Sequence, residues 1–255
     1  VQIHTDFLNP NFTKGSALNA LRQVFARMTL PQAASVRVVS KRIRDSLVKD
    51  RRFCVAEGKI TVLPMYAEKQ NARAAGSDAF PQFDKIALIA SRLEPEKSLE
   101  DALVAFSIAQ RVHPRTGLLI AGEGSLRARL EAKARSLGIA DKTIFLGWQS
   151  REELAGLYAI ADVYLSASLY EGYGLSLVEA AQAGVPIVST DAGIAPDLLP
   201  QKRLAVPGDM HSLELLLEEA LHYPERFVPR AEGIAAVTYR SKGEYLERYR
   251  ESLLL

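Results

Sequence analysis

The sequence predicts an α/β fold whose main body is a doubly wound parallel sheet of the Rossmann kind, and three observations carry that prediction. From Lys85 onward, short apolar runs alternate with helical patterns. The runs are nearly all apolar, as strands covered on both faces are, and turn-forming residues separate them. At 255 residues, 48% hydrophobic and 24% charged, the chain is long enough for about two domains of ~100 to 200 residues each. No apolar run reaches the ~18 residues of a membrane span, and the single cysteine, Cys54, builds no disulfide framework. The four histidines (His4, His113, His211, His222) are too scattered for a zinc site, and no metal is expected. A reducing, cytoplasmic setting follows from this cysteine usage.

Taken in order, Val1 to His4 reads as the end of a buried strand with no leader before it, so the chain is expected to begin mid-domain. A polar loop (Asn9 to Gly15) leads to a helix from Ala17 to Met28, a strand from Ser35 to Ser40 and a basic helix from Lys41 to Lys49. Ile60 to Leu63 is a strand that Pro64 stops, and Ala67 to Gln82, with Gly76, Ser77 and Pro81 and no periodicity, is a linker. Beyond it, strands are expected at Ile86 to Ala90, Gly117 to Ala121, Thr143 to Leu146, Val163 to Leu165 and Ile187 to Ser189. Helices are expected at Leu99 to Val112, Leu126 to Leu137, Arg151 to Ile160, Leu175 to Ala183, Ser212 to His222 and Ser241 to Leu254. The resulting division is a first lobe at 1–66, a linker at 67–83, a second lobe at 84–240 and a final helix at 241–255.

Charge divides the chain unevenly. Residues 1–59 hold 11 Lys plus Arg against 4 Asp plus Glu, and the remainder holds 21 against 26. The run Lys41, Arg42, Arg44, Lys49, Arg51 and Arg52 is either a solvated helix face or an attractor of phosphate or anionic lipid. It lacks interleaved aromatics, so no nucleic acid is expected as a partner.

In an open α/β sheet, ligands bind beyond the carboxyl ends of the strands. After the first strand of the second lobe, Arg92 and Lys97 flank a Pro-stiffened turn where they could grip a diphosphate, although surface turns carry such residues for solubility alone. After the next strand, Gly122 and Gly124 open a helix, permitting close backbone approach and offering an anion the helix terminus. The third glycine of a dinucleotide fingerprint is replaced by Arg127, which disfavours NAD. The fullest constellation is Glu171-Gly-Tyr-Gly-Leu-Ser-Leu-Val-Glu179. Between its two carboxylates lie the amides of Gly172, Tyr173, Gly174 and Leu175, a nest for a phosphate or a sugar hydroxyl. Glu179 sits in an apolar helix and needs a partner, so a buried salt bridge and a ligand contact both stand.

At these residues the sequence resembles the retaining glycosyltransferases of the glycogen-synthase and sucrose-phosphate-synthase type, group 1 or family 4, which have the two-lobed GT-B fold. Glu171 to Glu179 matches the family's E-x7-E element, followed at its spacing by Ala180 to Val188. Ser91-Arg-Leu with Lys97, Ala121 to Gly124, Phe145 to Trp148 and Pro207 to Asp209 match four further elements.

The resemblance implies a nucleotide-diphospho-sugar, most readily a UDP- or GDP-sugar, as substrate rather than cofactor. Arg92 and Lys97 would bind its diphosphate, Glu179 the ribose, and Glu171 with the amides of Tyr173, Gly174 and Leu175 the sugar. Gly122, Gly124 and Trp148 would border the base, and His4 would lie near the reacting carbon. The absence of any Asp-x-Asp agrees with a metal-independent mechanism.

Ser91 and Ser98 stand where glycines are common, and the segment Asp191 to Asp197 lacks one of the paired glycines. A whole first lobe would need roughly a hundred more residues before Val1. The expected function is thus the donor-binding part of a glycosyltransferase acting on an unidentified glycan, lipid or small-molecule acceptor. The alternative is a non-catalytic subunit whose partner chain supplies the rest of the first lobe. Peripheral contact with the inner membrane face through residues 41–52 is a further expectation.

Overall fold

The computed structural model describes residues 1–14, 16–68 and 79–253. The first lobe is a parallel sheet of three strands, β1 (Gln2–Ile3), β2 (Val36–Val38) and β3 (Ile60–Val62), in that spatial order. Its helices are the single turn α1 (Pro10–Thr13), α2 (Ala17–Thr29) and α3 (Lys41–Lys49). Serines start the two longer ones: Ser16 Oγ accepts from the N–H of Asn19 at 3.2 Å, and Ser40 Oγ from that of Ile43 at 3.3 Å. The expected polar loop at Asn9 to Gly15 contains α1, because Asn9 Oδ1 caps the N–H of Asn11 at 2.9 Å and Pro10 presets the first turn. The strand expected to reach Ser40 stops at Val38, since Ser40 is committed to capping α3.

Helix α2 is amphipathic in the inverse sense. Asn19, Gln23 and Arg27 face the body of the protein: Asn19 and Gln23 donate to the carbonyls of Phe12 and Phe7, and the Arg27 guanidinium lies 5.7 Å from the centroid of the Phe53 ring. Leu18, Leu21, Val24, Phe25 and Met28 point outward and are all exposed.

The second lobe carries β4 (Lys85–Ala90), β5 (Thr116–Ala121), β6 (Thr143–Gly147), β7 (Val163–Ser166), β8 (Ile187–Thr190) and β9 (Leu204–Ala205), all parallel, in the order β6-β5-β4-β7-β8-β9. Its helices are α4 (Leu99–Ala109), α5 (Arg127–Ser136), α6 (Arg151–Ile160), α7 (Leu175–Gln182), α8 (Ala195–Leu198), α9 (Met210–His222) and α10 (Ala231–Val237). Alternate residues of β4 feed two apolar layers: Ala87 and Ile89 pack with Leu103, Phe106 and Leu217, while Leu88 and Ala90 pack with Leu119, Tyr164 and Val178. Both faces are covered, which is why the strand reads as a continuous apolar run. The second layer also takes in Ile3, Val36, Val38 and Leu47, so one apolar cluster runs through both lobes.

Helix α4 ends at Ala109 rather than Val112, ahead of Pro114, which disfavours helical geometry at His113. Helix α9 begins two residues earlier than expected because the Asp209 carboxylate caps the N–H groups of His211 and Ser212. The short elements β9, α8 and α10 were not expected, each being too brief to show a period.

The final helix, α11 (Lys242–Glu251), packs on the first lobe. Tyr245 stacks on Tyr66 with centroids 5.8 Å apart, and the Arg37 guanidinium lies 4.5 Å above the Tyr249 ring. Most of the expected linker, and Leu254, lie outside the described residues.

Candidate functional site

Successive connections in the second lobe run outward from β4 through β5 to β6, then return to β7 and run the other way through β8 to β9. The loops after β4 and β7 therefore diverge from neighbouring strands, and a crevice opens between them. Here the chain concentrates its polar groups.

From the β4 side, a tight turn at Pro95–Lys97 ends in Ser98 at φ 47° and aims Lys97 into the crevice. From the β7 side comes Glu171. Lys97 Nζ donates to Glu171 Oε1 at 2.5 Å, and each side chain is only 13% exposed. Ser168 Oγ donates to the same oxygen at 2.8 Å. The two loops are also sewn together by the N–H of Leu169, which donates to the carbonyl of Glu96 at 2.8 Å.

Arg92, which the sequence sets with Lys97 around a diphosphate, contacts a different carboxylate from Lys97. Its guanidinium is mostly exposed and donates to Glu96 Oε1 at 2.7 Å. Arg92 lines a cavity of about 300 Å³ with Gly122, Glu123, Trp148, Gln149 and Leu154, whereas Lys97 lines a much smaller one with Ser168, Glu171 and Ser176; Ser91 borders both. Two cations thus stand on either side of Ser91. Trp148 is 75% exposed at the mouth of the larger cavity.

The glycine pair has a structural task. A Cβ on Gly122, whose φ is 136°, would lie 1.9 Å from the carbonyl oxygen of Ser91, and one on Gly124 would lie 2.5 Å from that of Leu93. Just before the helix that follows them stands the chain's own Glu94. Its carboxylate accepts from the N–H and hydroxyl of Ser125 at 3.0 and 2.8 Å, and the backbone hydrogen bond first of all holds it below the usual carboxylate range.

The start of α7 is different. Gly174 turns at φ 95° to begin the helix, and the N–H groups of Tyr173, Gly174 and Leu175 find no acceptor among the described residues. The loop is held from behind: Ile194 N–H donates to the carbonyl of Tyr173 at 2.8 Å, and Tyr173, buried, donates its hydroxyl to the carbonyl of Val237 at 3.0 Å. Gly172 abuts the first lobe, where a Cβ would lie 2.4 Å from the carbonyl oxygen of His4. His4 itself is exposed at the end of β1.

Glu179 has a partner that is not a cation. Tyr158 donates its hydroxyl to Glu179 Oε2 at 3.2 Å, and among the described residues no cation forms a salt bridge with Glu179. Burial pushes the Glu179 carboxyl up, against the hydrogen bond from Tyr158 and the charge of Arg151. Both glutamates act on one phenol: burial raises the Tyr164 hydroxyl well above its ordinary value, and the charges of Glu171 and Glu179 raise it further.

Three of the six cations of the basic segment are paired within the chain. Arg42 pairs with Asp191 across the lobes, Arg44 with Asp45 and Arg52 with Asp50. The segment Asp191 to Asp197 thus meets the start of α3, and burial raises the Asp197 carboxyl against the opposing charges of Lys41 and Arg42. Ser168 and Tyr158 escaped the sequence reading. Ser168 lies three residues before Glu171 without a motif to mark it, and Tyr158 falls in a helix whose pattern reads as core.

Among the described residues, no three His, Cys, Asp or Glu side chains converge as a metal site, and no helix is long and apolar enough to cross a membrane. Residues 73–232 match the family model described as glycosyl transferases group 1. A glycogen synthase of Mycobacterium tuberculosis is 41% identical over 106 residues, 42% of this chain and 26% of that protein. An uncharacterised glycosyltransferase of Bacillus subtilis is 24% identical over 92% of this chain and 62% of its own length. The chain thus spans only part of the length of these relatives. Among solved structures, Anabaena HepE in complex with UDP and glucose superposes with a TM-score of 0.79 at 18% identity, covering 99% of this chain and 70% of that one. The sucrose-phosphate synthase of Thermosynechococcus elongatus superposes with a TM-score of 0.78 at 22% identity, covering 99% and 67%. These likenesses show the GT-B fold.

Proposed function

The chain belongs to the group 1 glycosyl transferases, and from that premise we propose that it binds a nucleotide-diphospho-sugar between the β4 and β7 loops and serves transfer of the sugar, with retention, to an acceptor. The observation that carries this reading is the convergence of Lys97, Glu171 and the unpaired amides of Tyr173, Gly174 and Leu175 at the point where the strand order reverses.

An ammonium has three donors, so Lys97 can hold Glu171 Oε1 and still reach a phosphate oxygen. The amides at the start of α7 add a positive field that no carboxylate among the described residues occupies. Together with Arg92 they neutralise charge on the departing nucleoside diphosphate, work that needs no resident metal. The cavity of about 300 Å³ beside Trp148, Gly122 and Gly124 suits the base, and Glu179 is placed for the ribose hydroxyls. In the transfer, the bond from the anomeric carbon to the phosphate oxygen breaks as the bond to the acceptor oxygen forms on the same face. The acceptor's hydroxyl proton passes to the departing phosphate oxygen. Glu171, already engaged through Oε1, orients the sugar rather than attacking it, and His4 borders the reacting carbon from the first lobe.

Calorimetric titration of the full chain with UDP, GDP and ADP tests the reading. Saturable binding of one of them, weakened in Lys97→Ala and Arg92→Ala, is the expected result. No heat with any of the three overturns it.

A second reading, a donor-binding subunit that another polypeptide completes, is favoured by one observation: the apolar stripe of α2 is turned outward and uncovered. Under it, the chain binds nucleotide alone but transfers sugar only when mixed with the completing polypeptide.

A further inference from the structure

We propose that Ser168 is a positioning residue for the donor sugar, fixing which oxygen of Glu171 is offered to it; this rests on the donor reading above. A carboxylate presents two equivalent oxygens and about four lone-pair directions, and on a flexible glutamate they exchange freely. Here the orientation of the carboxylate is set from one side. Lys97 at 2.5 Å and the Ser168 hydroxyl at 2.8 Å both donate to Oε1, and Oε2 has no donor among the described residues.

Ser168 is well suited to hold that arrangement. It is 3% exposed, and its own carbonyl accepts from Thr190 Oγ1 at 2.7 Å, with Thr190 itself 2% exposed at the end of β8. The serine is thereby tied to the neighbouring strand while its hydroxyl reaches the carboxylate. Lys97 alone could not set the rotamer, because an ammonium is a point charge on a flexible stem and follows whichever oxygen is nearest. The hydroxyl, carried on a single χ angle from a pinned backbone, specifies one oxygen. Oε2 is left to accept a hydrogen bond from a donor-sugar hydroxyl, so Ser168 acts on the sugar through Glu171 and never on the nucleotide.

The consequence is a separation between two affinities. Calorimetry on the full chain with UDP and UDP-glucose, and with GDP and GDP-mannose, identifies the pair the wild-type chain binds. For that pair, Ser168→Ala is expected to leave nucleoside diphosphate affinity within about twofold and to weaken the nucleotide-sugar by about tenfold, the scale of one hydrogen bond to a charged group. Ser168→Thr, which keeps a hydroxyl, is expected to restore most of the difference. Equal losses for both ligands in the alanine variant, or no loss for either, overturn the role of Ser168 while leaving the donor site standing. A wild-type chain that binds none of the four ligands, nor ADP or ADP-glucose, overturns the donor reading and this role with it.

Discussion

The carbonyl oxygen of His4 rests against the α-carbon of Gly172, so close that a methyl group on Gly172 would lie 2.4 Å from it. The strand end of one lobe thereby touches the loop that carries Glu171 in the other, and only a residue without a side chain permits the contact. Gly172→Ala is expected to push the lobes apart, destabilising the chain by about 1 to 3 kcal/mol in a denaturant melt, as overpacking against backbone does. His4→Ala retains the carbonyl and removes only an exposed ring, so its melt should match the wild type. A melt of Gly172→Ala that also matches would remove the contact as a constraint.

Lys97 has two jobs, and substitution should expose both. With Glu171 equally secluded, Lys97→Ala leaves a largely buried carboxylate without its cation, at a cost of about 3 kcal/mol in stability. Glu171→Gln in the same chain should recover much of that loss, whereas nucleoside diphosphate affinity should stay low. If the double variant were no more stable than Lys97→Ala, the ion pair would not be what holds the two loops together.

The fold was legible in the sequence where burial on both faces left a mark. The five expected strands of the second lobe, Ile86–Ala90 among them, coincide with observed ones to within a residue at each end. Glu179 stood out because its helix is otherwise apolar, whereas Lys97 lies in a charged turn and Glu171 in a Gly-flanked loop, and their meeting leaves no mark in the spacing. What could not be read were relationships that depend on three dimensions. Glu94 reaches Ser125 across 31 residues, and the hydroxyl of Tyr158 meets Glu179 across 21. Arg42 looked like one of six solvated cations until the fold set it beside Asp191. In each case spacing along the chain carries no trace of the partner.

Glu179 should give the protein a recognisable pH signature. Burial first of all raises its carboxyl above the ordinary value of 4.5, so the folded chain holds the proton more tightly than the unfolded one. The stability this contributes is full below about pH 4.5 and is lost as pH rises through the elevated folded value. Relative to Glu179→Gln, the wild type should therefore gain stability as pH is lowered from neutral. Asp6 and Asp197, also raised by burial, remain in both proteins and cancel in the comparison. Urea melts of the pair across that range check it; a pH-independent difference, or one of opposite slope, would contradict the assignment.

Across the lobes, Arg42 and Asp191 form an ion pair whose side chains are 27% and 28% exposed, with Gln201 also donating to the carboxylate. Asp191→Asn should cost no more than about 1 kcal/mol, and less in high salt. Reversing the pair, Arg42→Asp with Asp191→Arg, should recover part of what either single reversal loses. Melts of the wild type, the two single reversals and the double reversal at two ionic strengths decide it, and single effects that simply add in the double and ignore salt would show that the two side chains are not coupled.

The outward-facing side of α2 has a colloidal consequence. A helix that shows leucine, phenylalanine and methionine to water makes neighbouring molecules adhere long before they unfold, so the solubility ceiling of this chain should be set by that flank. Leu21 and Phe25 are 64% and 67% exposed, and glutamates at both should raise the concentration at which light scattering climbs without lowering the melting temperature. Clumping on concentration would then trace to one oily stripe, separable by two substitutions from the chemistry of the crevice.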